Sequence, residues 1–159
     1  NIFNNGIIES SRKQSAGKVL IVDDDAIARL ILARWLQHWG VSFDAFSHPR
    51  EAMSRLSEAN YAFALIDFHM PQMNGLELIH EIQEAAERYN YRAPICALHT
   101  TDSDVKPRDP NLCEFLLKPV DPDRLHSLIR CAGCITTEPA PQKKTVTDNQ
   151  AFRLRPSKY

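Results

Sequence analysis

Two continuous apolar runs that stop on aspartate constrain this chain more than any other feature. Lys18–Val22 reads KVLIV and is followed by Asp23, Asp24 and Asp25; residues 62–66 read AFALI and are followed by Asp67. A run that is apolar at every position is buried on both faces. When such runs alternate with amphipathic helices, they form a parallel sheet covered on both sides. Ala28, Ile31, Leu32, Trp35, Leu36 and Trp39 recur at helical spacing after the first run, and Gly40 closes that helix.

The remaining elements follow in the same rhythm. Residues 41–46 read as a strand, 49–59 as a helix opened by Pro49, and 70–75 as a turn-rich loop. Residues 76–89 form an amphipathic helix through Leu76, Ile79 and Ile82. Strands are expected at 94–98 and 114–117, then a helix over Pro122–Cys131 with Asp121 as N-cap. Between 99 and 112, Pro107 and Pro110 interrupt any helix and no apolar stripe supports one, so a short or irregular element is expected there. The fold class is α/β, doubly wound.

In such sheets the site lies beyond the carboxyl ends of the strands. Asp23 and Asp24 stand at the first strand end, Asp67 at the third, and Lys118, followed by Pro119, at the last. Three carboxylates brought together repel, and a hard divalent cation relieves that repulsion; an all-oxygen donor set favours Mg²⁺ or Mn²⁺. A cation and a lysine together let a weak carboxylate nucleophile attack phosphorus. N-capping by Asp24 or Asp25 accounts for one acid, not for acids at two strand ends.

VLIVDDD, LIDFHMPQMNG and LLKPV, in this order and spacing, resemble the receiver domain of two-component response regulators over residues 18–132. The resemblance implies a flavodoxin-like (βα)₅ fold of strand order 2-1-3-4-5 and reversible phosphorylation on aspartate by a partner phosphohistidine. It makes Asp67 the phospho-acceptor and Lys118 the phosphoryl contact. Asp23, Asp24, Asp67 and the backbone carbonyl of His69 become the Mg²⁺ ligands, and Pro119 falls at a cis-proline position. The family's usual Ser or Thr at the end of the fourth strand is His99 here, with Thr100 one residue on. Phe115 takes the place of the aromatic switch partner.

The first helix is expected to bury Ala28, Ile31, Leu32, Trp35 and Leu36, leaving Ile27 and Leu30 at the rim beside the aspartates. Exposed apolar groups there suggest a docking patch for another helix; the resemblance implies that this helix belongs to a histidine kinase or histidine phosphotransfer protein. Composition excludes other classes. Residues 18–135 carry 12 basic and 17 acidic side chains, net −5, so no nucleic-acid surface is expected. No window of 18 apolar residues and no secretion signal is present, so no membrane contact is expected, and a cytoplasmic setting is. Cys96 and Cys113 are expected to be buried in strands, and the lone Cys131–Cys134 pair to be incidental.

Residues 1–17 read as a linker and 133–159, net +3 over 136–159 and carrying three prolines, as a disordered tail. Without an initiator Met the chain reads as a fragment or processed product, most simply the receiver part of a hybrid histidine kinase with its output elsewhere. The leading expectation is a phosphoryl-accepting module rather than a free-standing multiple-turnover enzyme. The competing one is a pseudo-receiver that binds partners without phosphorylation. A metal-dependent phosphatase would need a substrate pocket that no loop here is long enough to build.

Overall fold

A computed structural model of the chain describes residues 16–104 and 106–135. The upstream segment up to residue 15 and the tail beyond 135 lie outside the described residues. The elements are β1 (Lys18–Val22), α1 (Ala26–His38), β2 (Phe43–Phe46), α2 (Pro49–Arg55), β3 (Tyr61–Asp67), α3 (Gly75–Tyr89), β4 (Ile95–Thr100), β5 (Leu112–Leu117) and α4 (Pro122–Cys131). The five strands form one parallel sheet in the order β2-β1-β3-β4-β5.

The period-two alternation of strands divides the core in two. Val19, Ile21, Phe63, Leu65, Ala97 and Leu116 meet Leu32 and Leu36 of α1 and Leu125 and Ile129 of α4. Leu20, Val22, Ala64, Ile66, Cys96 and Leu98 point the other way, against Ala52 of α2 and Leu78, Ile79 and Ile82 of α3. Every second strand residue serves a different helix layer, which is why β1 and β3 must be apolar throughout. The packed region runs past α4: Cys134 is buried in the α1–α4 layer.

Local signals set the helix starts. Asp25 caps α1 by accepting from the amides of Ile27 and Ala28, and Asp121 caps α4 ahead of Pro122. Asn74 caps α3 in a capping box with Glu77. Gly40 sits at φ 68°, the left-handed geometry of a helix terminator.

Three expectations need correction. Ile31 and Trp35 are 45% and 36% exposed, so α1 meets the sheet along the Leu32–Leu36 line and turns them outward. Cys113 is exposed because the β4–β5 register shifts beside it. The second helix ends at Arg55, not 59.

Among the described residues no helix lies between β4 and β5. The connection carrying Pro107 and Pro110 is instead fastened to α3 by a 2.7 Å contact between His80 Nε2 and Asp109 Oδ2. Asp109 also accepts from the Asn111 amide, which together with His80 holds its carboxyl below the usual range. With no helix over it, Leu117 on β5 is half exposed. Replacing His80 by Ala should speed amide hydrogen exchange over residues 108–112 severalfold while β1 and β3 keep their protection. Unchanged exchange would show that the prolines alone hold the segment.

Candidate functional site

The site is assembled by strand register. β1 and β3 pair Val22 with Ile66, so Asp23 and Asp67 follow side by side; β3 and β4 pair Asp67 with His99. The Lys118 amide donates to the Thr100 carbonyl at 2.7 Å, placing the lysine just beyond the end of β5. The Lys118–Pro119 bond is cis, as expected.

Asp23 and Asp67 are buried and Asp24 is exposed, and one carboxylate oxygen from each lies within 4.8 Å of the others. The Lys118 ammonium spans the two buried acids, 2.8 Å from Asp23 Oδ2 and 3.3 Å from Asp67 Oδ1. Asp23 Oδ1 accepts from the Asp25 amide at 2.9 Å, and the Arg29 guanidinium donates to the Asp23 carbonyl at 2.7 Å. The His69 amide donates to Asp67 Oδ1 at 3.3 Å, while the His69 ring turns outward, edge-on to Phe68.

These contacts drive the two buried carboxyls apart. Burial alone would raise the pKa of Asp23, but His99, Lys118 and the Asp25 amide favour its anion and pull it well down. Asp67 shifts upward through burial, the neighbouring Asp23 charge and the nearby Asp24 carboxyl; Lys118 offsets only part of this. Burial would lower the pKa of Lys118, yet its acidic partners raise it. Asp67 is therefore the group that gains most from a cation. The all-oxygen donor set, open through exposed Asp24, fits a hard divalent ion, with Asp23, Asp24 and Asp67 as the side chains that would hold it.

Residues 19–130 match the family model of the response regulator receiver domain. The chain belongs to that family. It is a receiver domain of the kind used in two-component and phosphorelay signalling. It is 26% identical over 159 residues to the sensory/regulatory protein RpfC of Xanthomonas campestris, covering 94% of this chain and 21% of that protein. Hybrid signal transduction histidine kinase L of Dictyostelium discoideum is 26% identical over 134 residues, 79% of this chain and 8% of that one. The receiver thus spans about a fifth or less of these relatives.

Among solved structures, a chain in the co-crystal of the Saccharomyces cerevisiae histidine phosphotransfer protein Ypd1 with the receiver domain of Ssk1 superposes with a TM-score of 0.65. It is 22% identical and covers 76% of this chain and 90% of that one. Response regulator TrrA of Thermotoga maritima, solved with Mg²⁺ and BeF, gives a TM-score of 0.62 at 25% identity, covering 73% and 98%.

His99 is 3% exposed, its Nδ1 lies 3.6 Å from Asp23 Oδ2, and neither ring nitrogen has a hydrogen-bond partner among the described residues. An unpaired buried polar group costs about 1–3 kcal/mol. Thr100, next along the strand, faces the opposite side of the sheet, and its hydroxyl accepts from the Asp102 amide at 3.1 Å. Phe115 packs against the α3-side core. On α1, Ile27 and Leu30 are 69% and 56% exposed, and with Ile31 and Trp35 they make a broader apolar patch than two residues.

Sequence reasoning passed over Arg29 and gave Gly75 no role beyond its place in the motif. Arg29 lies one turn beyond the Asp25 cap, a spacing that carries no distinctive signal. A Cβ on Gly75 would stand 2.5 Å from the Asp67 carbonyl oxygen, so this glycine permits α3 to start directly against β3. Its place at the end of the MPQMNG string was the available hint.

Proposed function

We propose that this receiver accepts a phosphoryl group on Asp67 from a phosphohistidine, with a divalent cation held by Asp23, Asp24, Asp67 and the His69 carbonyl. The observation that carries the reading is Lys118 bonded to both Asp23 and Asp67 beside the three-acid cluster. An Asp67 carboxylate oxygen attacks phosphorus; the new O–P bond forms as the P–N bond breaks, and the electron pair returns to the donor imidazole. Mg²⁺, when bound, neutralises charge on the phosphoryl oxygens and favours ionised Asp67. Lys118 supplies the second positive contact, and TrrA with Mg²⁺ and BeF offers a precedent at the fold level.

Of the switch positions, His99 takes the register place opposite Asp67, whereas the Thr100 hydroxyl is already engaged and Phe115 packs in the core. The complete set of three acids and a lysine favours this reading over a pseudo-receiver.

Incubation with Mg²⁺ and a small phosphodonor should give a retarded band on phosphate-affinity gels. Absence of that band, together with no spectral response to beryllofluoride, would sink the proposal.

The partner is a histidine phosphotransfer protein or kinase domain in the cytoplasm, supported by the Ypd1–Ssk1 precedent and by the exposed α1 patch. Among the described residues, no helix is long and apolar enough to cross a membrane. Changing Ile27 and Leu30 together to Ser should slow transfer from a cognate phosphohistidine about tenfold and leave the small-phosphodonor reaction unchanged. Equal slowing of both reactions would remove the docking assignment.

A further inference from the structure

We propose that His99 is a positioning residue for the cation site, steadying Asp23 from two strands away rather than serving only the phosphoryl side. This rests on the reading that the three-acid cluster binds Mg²⁺. Asp23 leaves β1 and His99 belongs to β4, with β3 between them. Two strand spacings put about 10 Å between their backbones; the imidazole and the Asp23 side chain reach toward each other over β3 and bring Nδ1 to 3.6 Å from Asp23 Oδ2. A Ser or Thr hydroxyl at this position is too short to do so. The departure from the family pattern at residue 99 therefore changes what the side chain can touch.

The His99 carbonyl is tied to the Phe68 amide at 2.9 Å, which fixes the backbone beside the acceptor. Its ring is buried and unpaired, so an acceptor in the acid cluster is where an N–H can be satisfied. Asp23 is the acceptor in reach. Its Oδ1 is held by the Asp25 amide and its Oδ2 by Lys118. A small closure from 3.6 Å would let the imidazole add a third donor to the Asp23 carboxylate, at Oδ2, when the cluster holds a cation. Groups that hold a ligating carboxylate in this way typically change metal affinity about 10–100-fold when removed.

The test is Mg²⁺ and Mn²⁺ titration of the full 159-residue chain by calorimetry, without phosphodonor, on wild type, His99→Leu, His99→Thr and His99→Gln. His99→Leu and His99→Thr should each bind Mg²⁺ about tenfold more weakly. His99→Gln keeps an N–H donor on a long side chain and should come within about threefold of wild type. Thermal melts without metal identify variants that are merely unstable, and the Thr and Gln pair keeps the comparison decisive if His99→Leu does not fold. Wild-type Mg²⁺ affinity in His99→Thr would overturn the proposal while leaving the phospho-acceptor reading intact. Equal weakening in His99→Gln and His99→Leu would overturn it too, because a purely spatial role would then suffice. No Mg²⁺ binding by the wild-type chain would overturn both readings.

Discussion

Changing Asp67 to Asn should abolish labelling by any phosphodonor and at the same time stabilise the metal-free domain. The first effect follows, on the proposed reading, from removing the buried carboxylate that ends β3. The second follows from the direction of its pKa. Burial and the Asp23 charge raise Asp67 above its unfolded value, so the folded state holds that proton more tightly than the unfolded chain. Stability therefore falls as pH rises from the unfolded pKa through the raised folded one, and the penalty is complete above it. An amide at this position carries no such penalty. Urea unfolding should show Asp67→Asn about 1–2 kcal/mol more stable than wild type at about pH 8, with the gap closing at about pH 4. Mg²⁺ should raise the melting temperature of wild type by several degrees and of the variant far less. Equal stability at both pH values would mean that Lys118 already neutralises Asp67 in full. The stabilised but inert variant is the usual signature of a site held under strain for function.

Changing Gly75 to Ala is the second large effect. An added Cβ would lie 2.5 Å from the Asp67 carbonyl oxygen and 2.6 Å from Leu98 Cδ2. One obstacle is backbone and the other a fully buried core side chain, so neither can move without shifting β3 or β4. Overpacking of this kind costs about 1–3 kcal/mol, which exceeds the helix propensity gained at the first turn of α3. The displacement falls on Asp67 itself, so phosphorylation by a small donor should drop at least about tenfold even where the domain remains folded. Gly40→Ala is the matching control. Gly40 has a positive φ and open space around it, so the variant should lose about 1 kcal/mol and keep its phosphorylation rate. Wild-type labelling in Gly75→Ala would show that the start of α3 can move away from the acceptor strand.

The candidate site was legible because its chemistry is written at strand ends. KVLIV followed by three aspartates and AFALI followed by one tell where each strand stops, and in a parallel sheet the stops fall together. Lys118–Pro119 added the cation by the same rule. The missing helix between β4 and β5 was legible through Pro107 and Pro110, since each removes a backbone donor. The α1 surface was not. Its residues are apolar nearly all round, so periodicity could not separate Leu32 and Leu36, which touch the sheet, from Ile31 and Trp35, which do not. Cys113 was misplaced because a register shift beside it moves one residue out of the alternation.

By itself, then, the sequence determined the order of elements, the parallel sheet and the set of residues at its carboxyl edge, because those depend on local apolar pattern and chain punctuation. Only the tertiary structure decided how the members of that set act on one another. Lys118 lies 95 residues from Asp23 and bonds to it; the His99 ring comes to 3.6 Å from Asp23 over β3; Asp23 and Asp67 shift in opposite directions though both are buried aspartates at strand ends. Distance and burial set those interactions, and both come from packing non-local strands side by side.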